Sequence, residues 1–350
     1  AAGANLVVLG APGTGKTSLA LHLLVDAVAS GRDALLLAPT RARADMLRRR
    51  SARLLGEAGV RDGAVRVRTP AGYALTVLRT SLTRRPDPLP APVLLAGAEE
   101  DAALAALIVP EQWPGLPASA VASRAFRTEL RNLLARAGEL GLSADDLAEL
   151  GRVLSVPVWG PASALLRIWD AQGRPSAERR SQTRRMDAAR LQDRAVEALG
   201  SWEADRVAER RPVPDLVVVD DYQDCTAATA RLLAALAMPD ADGHRAQAVV
   251  LGDPDVAVET FRGGAPSLLV EAEDRSGLNA SRLLLRTAHR GTRALDAVWW
   301  DQAGRLPVTG SAAHRRPVRP APSRGAADAG SSRPGPSRSA TTSDGRGGVG

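Results

Sequence analysis

Residues 1–17 constrain the fold of this chain more than any other stretch. Residues 6–9 are a short apolar run typical of a buried strand, and helical periodicity begins at Ser18 and continues to Ala29. Between them lies a loop made of Gly10, Ala11, Pro12, Gly13, Thr14, Gly15, Lys16 and Thr17. A strand, a glycine-rich loop ending in Gly-Lys-Thr, and a helix form a phosphate-binding loop when they occur in this order.

The chemistry of this loop depends on its backbone and on its last two side chains. Glycines let successive N–H groups point at phosphate oxygens, and the N-terminus of the following helix adds a partial positive charge. We expect Lys16 to reach the β- and γ-phosphates of a nucleotide and the Thr17 hydroxyl to hold Mg²⁺. Lys16 is the one lysine among 46 lysines and arginines, which suits a compact charge at a phosphate site. A chance glycine turn is the disfavoured alternative, because strand, loop and helix are all in place.

Further apolar runs predict the other strands of a buried parallel sheet, and hence an α/β protein. They span residues 32–38, 64–68, 216–219, 246–251 and 282–286. Thr40 and Thr69 follow the first two of these runs, at the sheet edge where ligands bind, and each precedes a helix. Their hydroxyls are candidates for contacts with nucleic-acid phosphates. The arginine-rich helix predicted after Thr40 is, by itself, more typical of a solvated face.

The stretch 98–211 has helical periodicity and no convincing strand. The predicted helices span residues 99–108, 120–137, 144–154, 162–170 and 185–209. We interpret Trp113, Trp159, Trp169 and Trp202 as core anchors, with base stacking as the alternative for one or two of them. An arginine-rich polar break at 174–185 predicts a mobile loop.

A pair of carboxylates directly follows the apolar run 216–219. In a chain with a phosphate-binding loop, we expect Asp220 to bind Mg²⁺ and Asp221 to orient or deprotonate the attacking water. The alternative is a polar strand end that caps the helix predicted at 226–238. Arg262 and Arg290 lie just past two later strands and are candidates to sense or neutralise the γ-phosphate.

The charge of the chain is concentrated at its end. The net charge is +7, but residues 305–350 contain eight arginines and two aspartates, so the first 304 residues carry only +1. Basicity of the whole chain therefore does not indicate nucleic-acid binding by the folded part. From Thr309 to Gly350 apolar periodicity is lost, and we predict disorder.

Composition also limits where such a chain can work. It contains no run of eighteen apolar residues and no secretion signal, so we expect no membrane association. Cys225 is the single cysteine, which excludes an internal disulfide and fits a reducing compartment. We therefore expect a cytoplasmic protein.

The order of these segments resembles the superfamily 1 DNA helicases of the UvrD/Rep type. The resemblance rests on residues 10–17 (motif I), 38–40 (motif Ia), 69–74 (the Thr-Phe-His-Ser-Phe-Ala segment), 220–224 (the Asp-Glu-X-Gln-Asp box), 252–263 (motif III) and 285–290 (motif IV). The ordered combination is more specific than any one motif. The Asp-Asp-Tyr-Gln-Asp form of the box is similar to the AdnA-type subunit of actinobacterial helicase–nucleases.

The resemblance implies a RecA-like P-loop NTPase sheet, domain 1A, with an inserted helical subdomain 1B and a disordered basic tail. The implied boundaries are 1–90 and 212–304 for domain 1A, 91–211 for subdomain 1B and 305–350 for the tail. It implies ATP and Mg²⁺ as cofactors and 3′-to-5′ translocation on single-stranded DNA. Single-stranded or duplex DNA and a second helicase or nuclease subunit are the implied partners. In this pattern Gln223 senses the nucleotide state, while Thr40 and Thr69 lie near the DNA backbone.

Three departures from the family pattern bear on activity. Asp221 stands where the family has a glutamate one methylene longer, Val256 stands for the glutamine of motif III, and Glu259 stands for an aromatic residue. No second motor domain follows Arg290, so we expect a truncated helicase that binds ATP and hydrolyses it poorly. The alternative is a nucleotide-binding structural or regulatory subunit of a repair helicase–nuclease with a decayed motor. An unrelated P-loop ATPase or kinase is the third possibility.

Overall fold

The computed structural model describes residues 3–60, 65–95, 97–172, 184–274 and 277–319. In these ranges the strands are β1 (Leu6–Gly10), β2 (Ala34–Leu37), β3 (Val65–Arg68), β4 (Val93–Leu94), β5 (Arg185–Met186), β6 (Leu216–Val219), β7 (Gln247–Gly252) and β8 (Ser281–Leu285). The α-helices are α1 (Lys16–Ala29), α2 (Arg41–Glu57), α3 (Pro70–Thr83), α4 (Ala98–Ala105), α5 (Ala118–Val121), α6 (Arg124–Leu140), α7 (Ala144–Val153), α8 (Trp159–Gln172), α9 (Ala188–Gly200), α10 (Ala227–Ala237), α11 (Leu268–Glu271) and α12 (Arg293–Arg305).

Six strands form one parallel sheet in the order β3-β2-β6-β7-β1-β8. Strands β2 and β6 are apolar and buried along their whole length, as expected for a parallel sheet covered on both faces. Strand β1 lies between β7 and β8, with Leu9 paired to Gly252 on one side and Leu284 on the other. The loops that follow β1, β6 and β7 therefore converge at the same edge of the sheet.

Each face of the sheet has its own apolar core, because successive strand residues point to opposite sides. Val7 belongs to the core on one face, together with Tyr73 of α3. Val8 belongs to the core on the other face, together with Leu21 of α1 and Leu47 of α2. The helices thus cover both faces and leave the carboxyl edge of the strands to the loops.

Helices α4 to α8 share a third core, separate from those of the sheet. Within it Trp113 packs edge-to-face on Phe126, with ring centroids 4.8 Å apart. Trp113, Trp169 and Trp202 are each at most 4% exposed, so our interpretation of these rings as core anchors is confirmed. Trp159 is half-buried and packs against the third core.

Two predicted helices of this region have the wrong bounds. The helix predicted at 120–137 is interrupted before α6, where the Ser123 side chain accepts the N–H of Phe126 and caps a new helix. The helix predicted at 185–209 spans only 188–200. Its first residues form β5 instead, which pairs with β4, and Asp187 caps α9 through the N–H of Arg190. Most of the loop predicted at 174–185 lies outside the described residues.

The end of the chain departs from the predicted disorder at residues 309–319. This stretch has no helix or strand, yet His314 and Arg315 are 3% and 8% exposed. Both side chains pair with acidic residues that follow β7, an interaction that apolar periodicity does not reveal. Residues 320–350 of the predicted tail lie outside the described part. Among the described residues, no helix is long and apolar enough to cross a membrane.

Candidate functional site

The loop between β1 and α1 has the backbone curvature that its glycines permit. Gly13 and Gly15 have φ of 84° and 93°, in the left-handed region that favours glycine. The Thr14 hydroxyl donates to the Ala11 carbonyl at 2.8 Å, which closes the turn. Lys16 Nζ donates to the Gly10 carbonyl at 2.5 Å and to the Ala11 carbonyl at 3.1 Å. The ammonium is thus held over the loop by backbone oxygens.

A cleft of about 690 Å³ opens above this loop. Its lining combines the loop with residues from three other segments: Pro12 to Leu19, Asp221, Val256, Leu285, His289 and Arg290. The His289 N–H donates to the Gly13 carbonyl at 2.9 Å, which fixes the segment after β8 against the loop. The structure therefore brings Arg290 to the cleft, as its position past a strand end predicts.

Thr17 and Asp220 meet across the sheet edge. The Thr17 hydroxyl lies 3.0 Å from Asp220 Oδ2, and Asp220 is fully buried. Arg43 Nη2 lies 2.9 Å from both the Thr17 hydroxyl and Asp220 Oδ2. A guanidinium of α2 therefore occupies the position beside these two oxygens, where a cation is electrostatically favoured.

Asp221 lies beside the same guanidinium, in a strained backbone conformation. Its φ is 55°, in the left-handed region, and its carboxylate lies 2.8 Å from Arg43 Nε. Burial and the negative charge of Asp220 raise the Asp221 pKa to about 6, although Arg43 acts in the opposite direction. A carboxyl group with a raised pKa that faces the cleft is suited to accept a proton near neutral pH.

Lys16 lies among three carboxylates but is mostly shielded from water. Burial lowers the Lys16 pKa, and the charges of Asp253, Asp221 and Asp220 only partly oppose this effect. Asp253 Oδ2 lies 4.0 Å from Lys16 Nζ, is buried, and has no hydrogen-bond partner among the described residues. The site therefore holds both an ammonium and a carboxylate oxygen whose hydrogen-bonding capacity is unused.

Gln223 and Asp224, at the end of the Asp-Asp-Tyr-Gln-Asp segment, accept hydrogen bonds from the backbone of the loop after β7. Gln223 Oε1 accepts the N–H of Asp253 at 3.1 Å. Asp224 Oδ1 accepts the N–H groups of Val258 and Glu259 at 2.7 and 2.9 Å. Gln223 is buried and is not among the residues that line the cleft, so its contact is with the segment after β7 rather than with the cleft itself.

Arg262 does not reach the cleft, contrary to its predicted role at the nucleotide. Its side chain is 68% exposed and pairs with Glu259 at 3.5 Å. Its guanidinium also lies over the Phe261 ring, 5.1 Å from the centroid. A single 3₁₀ turn, Thr260–Arg262, directs this side chain to solvent rather than toward the phosphate-binding loop.

Thr40 and Thr69 begin α2 and α3 as N-cap residues. The Thr40 side chain accepts the N–H of Arg43 at 3.2 Å, and the Thr69 side chain accepts the N–H of Gly72 at 3.1 Å. Because β2 and β3 are neighbours in the sheet, both caps lie at the same edge. A hydroxyl that accepts a backbone N–H keeps its own hydrogen for a further acceptor.

Sequence reasoning missed four charged residues of this region. Arg43 is one of six arginines on α2, and nothing in the sequence separates it from its exposed neighbours. Asp253 lies in the motif III segment but had no assigned role, although it follows a buried strand as Asp220 does. His314 and Arg315 lie in the segment predicted to be disordered.

Asp253, Asp255 and His314 form a group whose ligand atoms all lie within 4.8 Å of one another. Such groups can hold a metal ion. Here Arg315 Nε and Nη2 donate to the two oxygens of Asp255 at 2.8 and 2.7 Å. The negative charge of Asp255 is thus already balanced by a guanidinium, which disfavours a metal at this position.

A parallel α/β sheet with a phosphate-binding loop after β1 and a carboxylate after β6 defines a RecA-like P-loop nucleotide-binding domain. The family profile of the UvrD/REP helicase N-terminal domain matches residues 1–276. The chain belongs to this family and carries a helicase-type ATP-binding domain.

The comparison with solved structures adds a distant likeness. The chain is similar to VirB4 of Thermoanaerobacter pseudethanolicus, with 15% identity and a TM-score of 0.27, over 84% of this chain and 79% of that chain. No curated protein matches the chain.

Proposed function

We propose that the cleft binds ATP with Mg²⁺ and that the chain is the ATP-binding portion of a DNA helicase. The observation that carries this proposal is the meeting of Lys16, Thr17 and Asp220 beside the loop. Residues 1–90 and 212–304 would form motor domain 1A, and residues 91–211 would form subdomain 1B. The third apolar core, shared by α4–α8, supports a separate subdomain there, whereas α9, within the proposed 1B range, contributes Leu191 and Leu199 to the core on the α3 face of the sheet.

The donor set fits Mg²⁺, a hard cation that prefers oxygen ligands. Thr17 and Asp220 supply two adjacent oxygens, and a guanidinium nitrogen of Arg43 stands beside both. We expect Thr17 and Asp220 to hold the ion, with Arg43 moving aside. When bound, Mg²⁺ neutralises charge on the β- and γ-phosphates.

The other residues of the cleft have distinct tasks in this proposal. The N–H groups of the loop and Lys16 would bind phosphate oxygens, and Arg290 would stabilise charge on the γ-phosphate. Asp221 would accept the proton of the attacking water, a role supported by its raised pKa. Gln223 would report the nucleotide state to the segment after β7, through the N–H of Asp253.

The proposed DNA contacts lie at the same sheet edge. The hydroxyls of Thr40 and Thr69, each at a helix N-terminus, would donate to phosphates of single-stranded DNA. Arg43 joins α2 to the two carboxylates, so the position of this guanidinium would be coupled to the helix that Thr40 begins. By the family resemblance, translocation on single-stranded DNA would run from 3′ to 5′.

A second candidate function is favoured by two residues. Val256 lines the cleft with an apolar side chain, where the resemblance places a glutamine. Glu259 pairs with Arg262 and adds negative charge, where the resemblance places an aromatic ring. Both fit a nucleotide-binding structural or regulatory subunit of a helicase–nuclease, in which ATP orders the domain and a partner subunit supplies the motor.

The two functions differ in their response to DNA. We expect the full chain to bind Mg²⁺·ATP, and single-stranded DNA to stimulate the ATPase activity of the complete protein if it is a motor. Lys16→Ala is the control for hydrolysis by a contaminant. Tight ATP binding with no stimulation would exclude the motor and support the structural subunit. Absence of Mg²⁺·ATP binding would overturn both.

A further inference from the structure

The segment that follows α12 returns to the edge of the sheet. Val318 forms a parallel bridge with Thr287, and the Ala288 N–H donates to the Val318 carbonyl at 2.9 Å. The Arg319 side chain donates to the Arg290 carbonyl at 2.9 Å. Residues 306–319, which we term the return segment, therefore run beside the strand-end loop that lines the cleft.

Two side chains of the return segment are buried against the loop after β7. Arg315 donates to both oxygens of Asp255, and also to the carbonyls of Leu306 and Pro307 at 3.2 and 2.9 Å. Arg315 thus closes the return segment on itself while it binds Asp255. The side chains of Asp255 and Arg315 are only 3% and 9% exposed, so this bidentate pair is shielded from solvent.

His314 bridges two carboxylates. Its Nε2 lies 3.0 Å from Asp255 Oδ2 and 3.3 Å from Asp253 Oδ1, and its Nδ1 lies 3.0 Å from the Ser311 carbonyl. An imidazole with acceptors at both nitrogens satisfies them only when both carry hydrogen, which is the charged form. This geometry therefore favours the imidazolium form of His314, which balances part of the charge of Asp253 and Asp255.

This bridge determines how Asp253 faces the cleft. Its Oδ1 is held by His314 and by the Asp255 N–H at 3.0 Å. Its Oδ2 faces Lys16 Nζ, 4.0 Å away, and has no hydrogen-bond partner in the part of the chain that the structure describes. The next residues include Val256, which lines the cleft. A continuous chain of charged groups thus leads from the return segment to the phosphate-binding lysine.

We propose that His314 and Arg315 are positioning residues of the nucleotide site, which hold the segment 253–256 against Lys16 and so make ATP affinity depend on the return segment. This inference rests on the proposed binding of ATP in the cleft. Neither side chain needs to touch the nucleotide.

The test is Mg²⁺·ATP binding by calorimetry to the full chain, with thermal unfolding of each variant measured alongside. We expect His314→Ala and Arg315→Ala to weaken binding about tenfold, a typical effect for residues that act through another group. His314→Gln keeps an N–H donor toward the carboxylates and should recover most of the affinity. Its partial rescue also covers the case in which His314→Ala does not fold.

The matched control is Arg190→Ala, which removes an equally buried arginine paired with Asp170 and Asp187, away from the cleft. It should lower the unfolding temperature comparably and leave ATP affinity unchanged. Equal ATP binding by His314→Ala, Arg315→Ala and wild type would overturn the inference, as would an equal loss in Arg190→Ala. Stabilisation by Zn²⁺ alone that requires His314 would also overturn it, by making the group a metal site.

These outcomes are separable from those of the proposed function. Wild type that fails to bind Mg²⁺·ATP overturns the proposed function and this inference together. If wild type binds Mg²⁺·ATP and Lys16→Ala does not, the proposed function is upheld, whatever the His314 and Arg315 variants show.

Discussion

The Thr17 hydroxyl lies 3.0 Å from the Asp220 carboxylate, although 203 positions of sequence separate the two residues. The parallel sheet makes this contact, because β1 and β6 flank β7 and end at the same edge. Arg43 Nη2 lies 2.9 Å from both partners. The buried carboxylate therefore has a cationic partner before any metal binds.

The first prediction concerns this guanidinium. Arg43→Gln leaves the buried Asp220 without its guanidinium partner, so the free energy of unfolding should fall by about 2 kcal/mol in the absence of Mg²⁺. Added Mg²⁺ should then raise the unfolding temperature more in the variant than in wild type. Arg53→Gln, on the same helix but 80% exposed, is the control and should change little. An equal response of variant and wild type to Mg²⁺ would contradict the proposed ion position.

The second prediction concerns the phosphate-binding lysine. Lys16→Ala removes charge-assisted hydrogen bonds to phosphate, and we expect ATP affinity to fall about 100-fold. Burial is unfavourable for the charged form of Lys16, so its removal costs little stability. Nucleotide-free Lys16→Ala should therefore unfold at nearly the wild-type temperature. Calorimetric titration with ATP and Mg²⁺ checks the affinity, and a thermal scan checks the fold. Unchanged ATP affinity would place the nucleotide elsewhere.

The strands of the main sheet were predictable because parallel strands buried on both faces are continuous apolar runs. Each predicted strand of this sheet overlaps an observed one. For β6 the predicted and observed bounds are the same, 216–219. Their spatial order is not encoded in any local pattern. The pairing of β4 with β5 is equally hidden, since two-residue strands have no periodicity.

The site was predictable where chemistry coincides with a local motif, as in the loop 10–17 and the pair Asp220 and Asp221. The structure places these residues together, and their roles stay predictions. Arg43 and His314 were not predictable in this way. Each acts through a long-range ion pair, and an arginine or histidine looks the same in a sequence whether it faces solvent or a buried carboxylate. Arg262 shows the converse, since its position past a strand end did not bring it to the cleft.

The third prediction tests the curvature of the phosphate-binding loop. Gly13 has φ of 84°, and a Cβ at this position would lie 3.2 Å from Arg290 Cβ. Gly13→Ala should therefore cost about 1 kcal/mol or more in stability and weaken ATP binding. Gly56→Ala is the control, because no atom of the described residues lies within 4 Å of a Cβ built there and alanine favours the helix by about 1 kcal/mol. Equal stability of the two variants in urea denaturation would refute the strain argument.

The fourth prediction separates binding from hydrolysis at Asp221. Asp221→Asn cannot accept a proton, so the rate of ATP hydrolysis should fall about 100-fold or more while ATP affinity stays within about threefold of wild type. Asp221→Glu keeps the carboxylate and adds the methylene that the family pattern has, and it should retain or increase the rate. Phosphate release at saturating ATP measures both. A rate unaffected by Asp221→Asn would exclude this residue as the base.

The fifth prediction is a pH dependence of stability that arises from His314. Burial lowers the His314 pKa, but the hydrogen bonds and charges of Asp253 and Asp255 outweigh burial and raise it above its ordinary value. The folded state therefore binds this proton more tightly than the unfolded state. The resulting stability is fully present below about pH 6.5, the ordinary histidine pKa, and is lost as pH rises through the raised pKa of the folded protein. Urea denaturation across this pH range should show the loss of stability in wild type but not in His314→Gln. The control is His22→Gln, a change at an exposed histidine of α1, which should show the same loss as wild type. A slope that survives His314→Gln would mean that another group carries the proton.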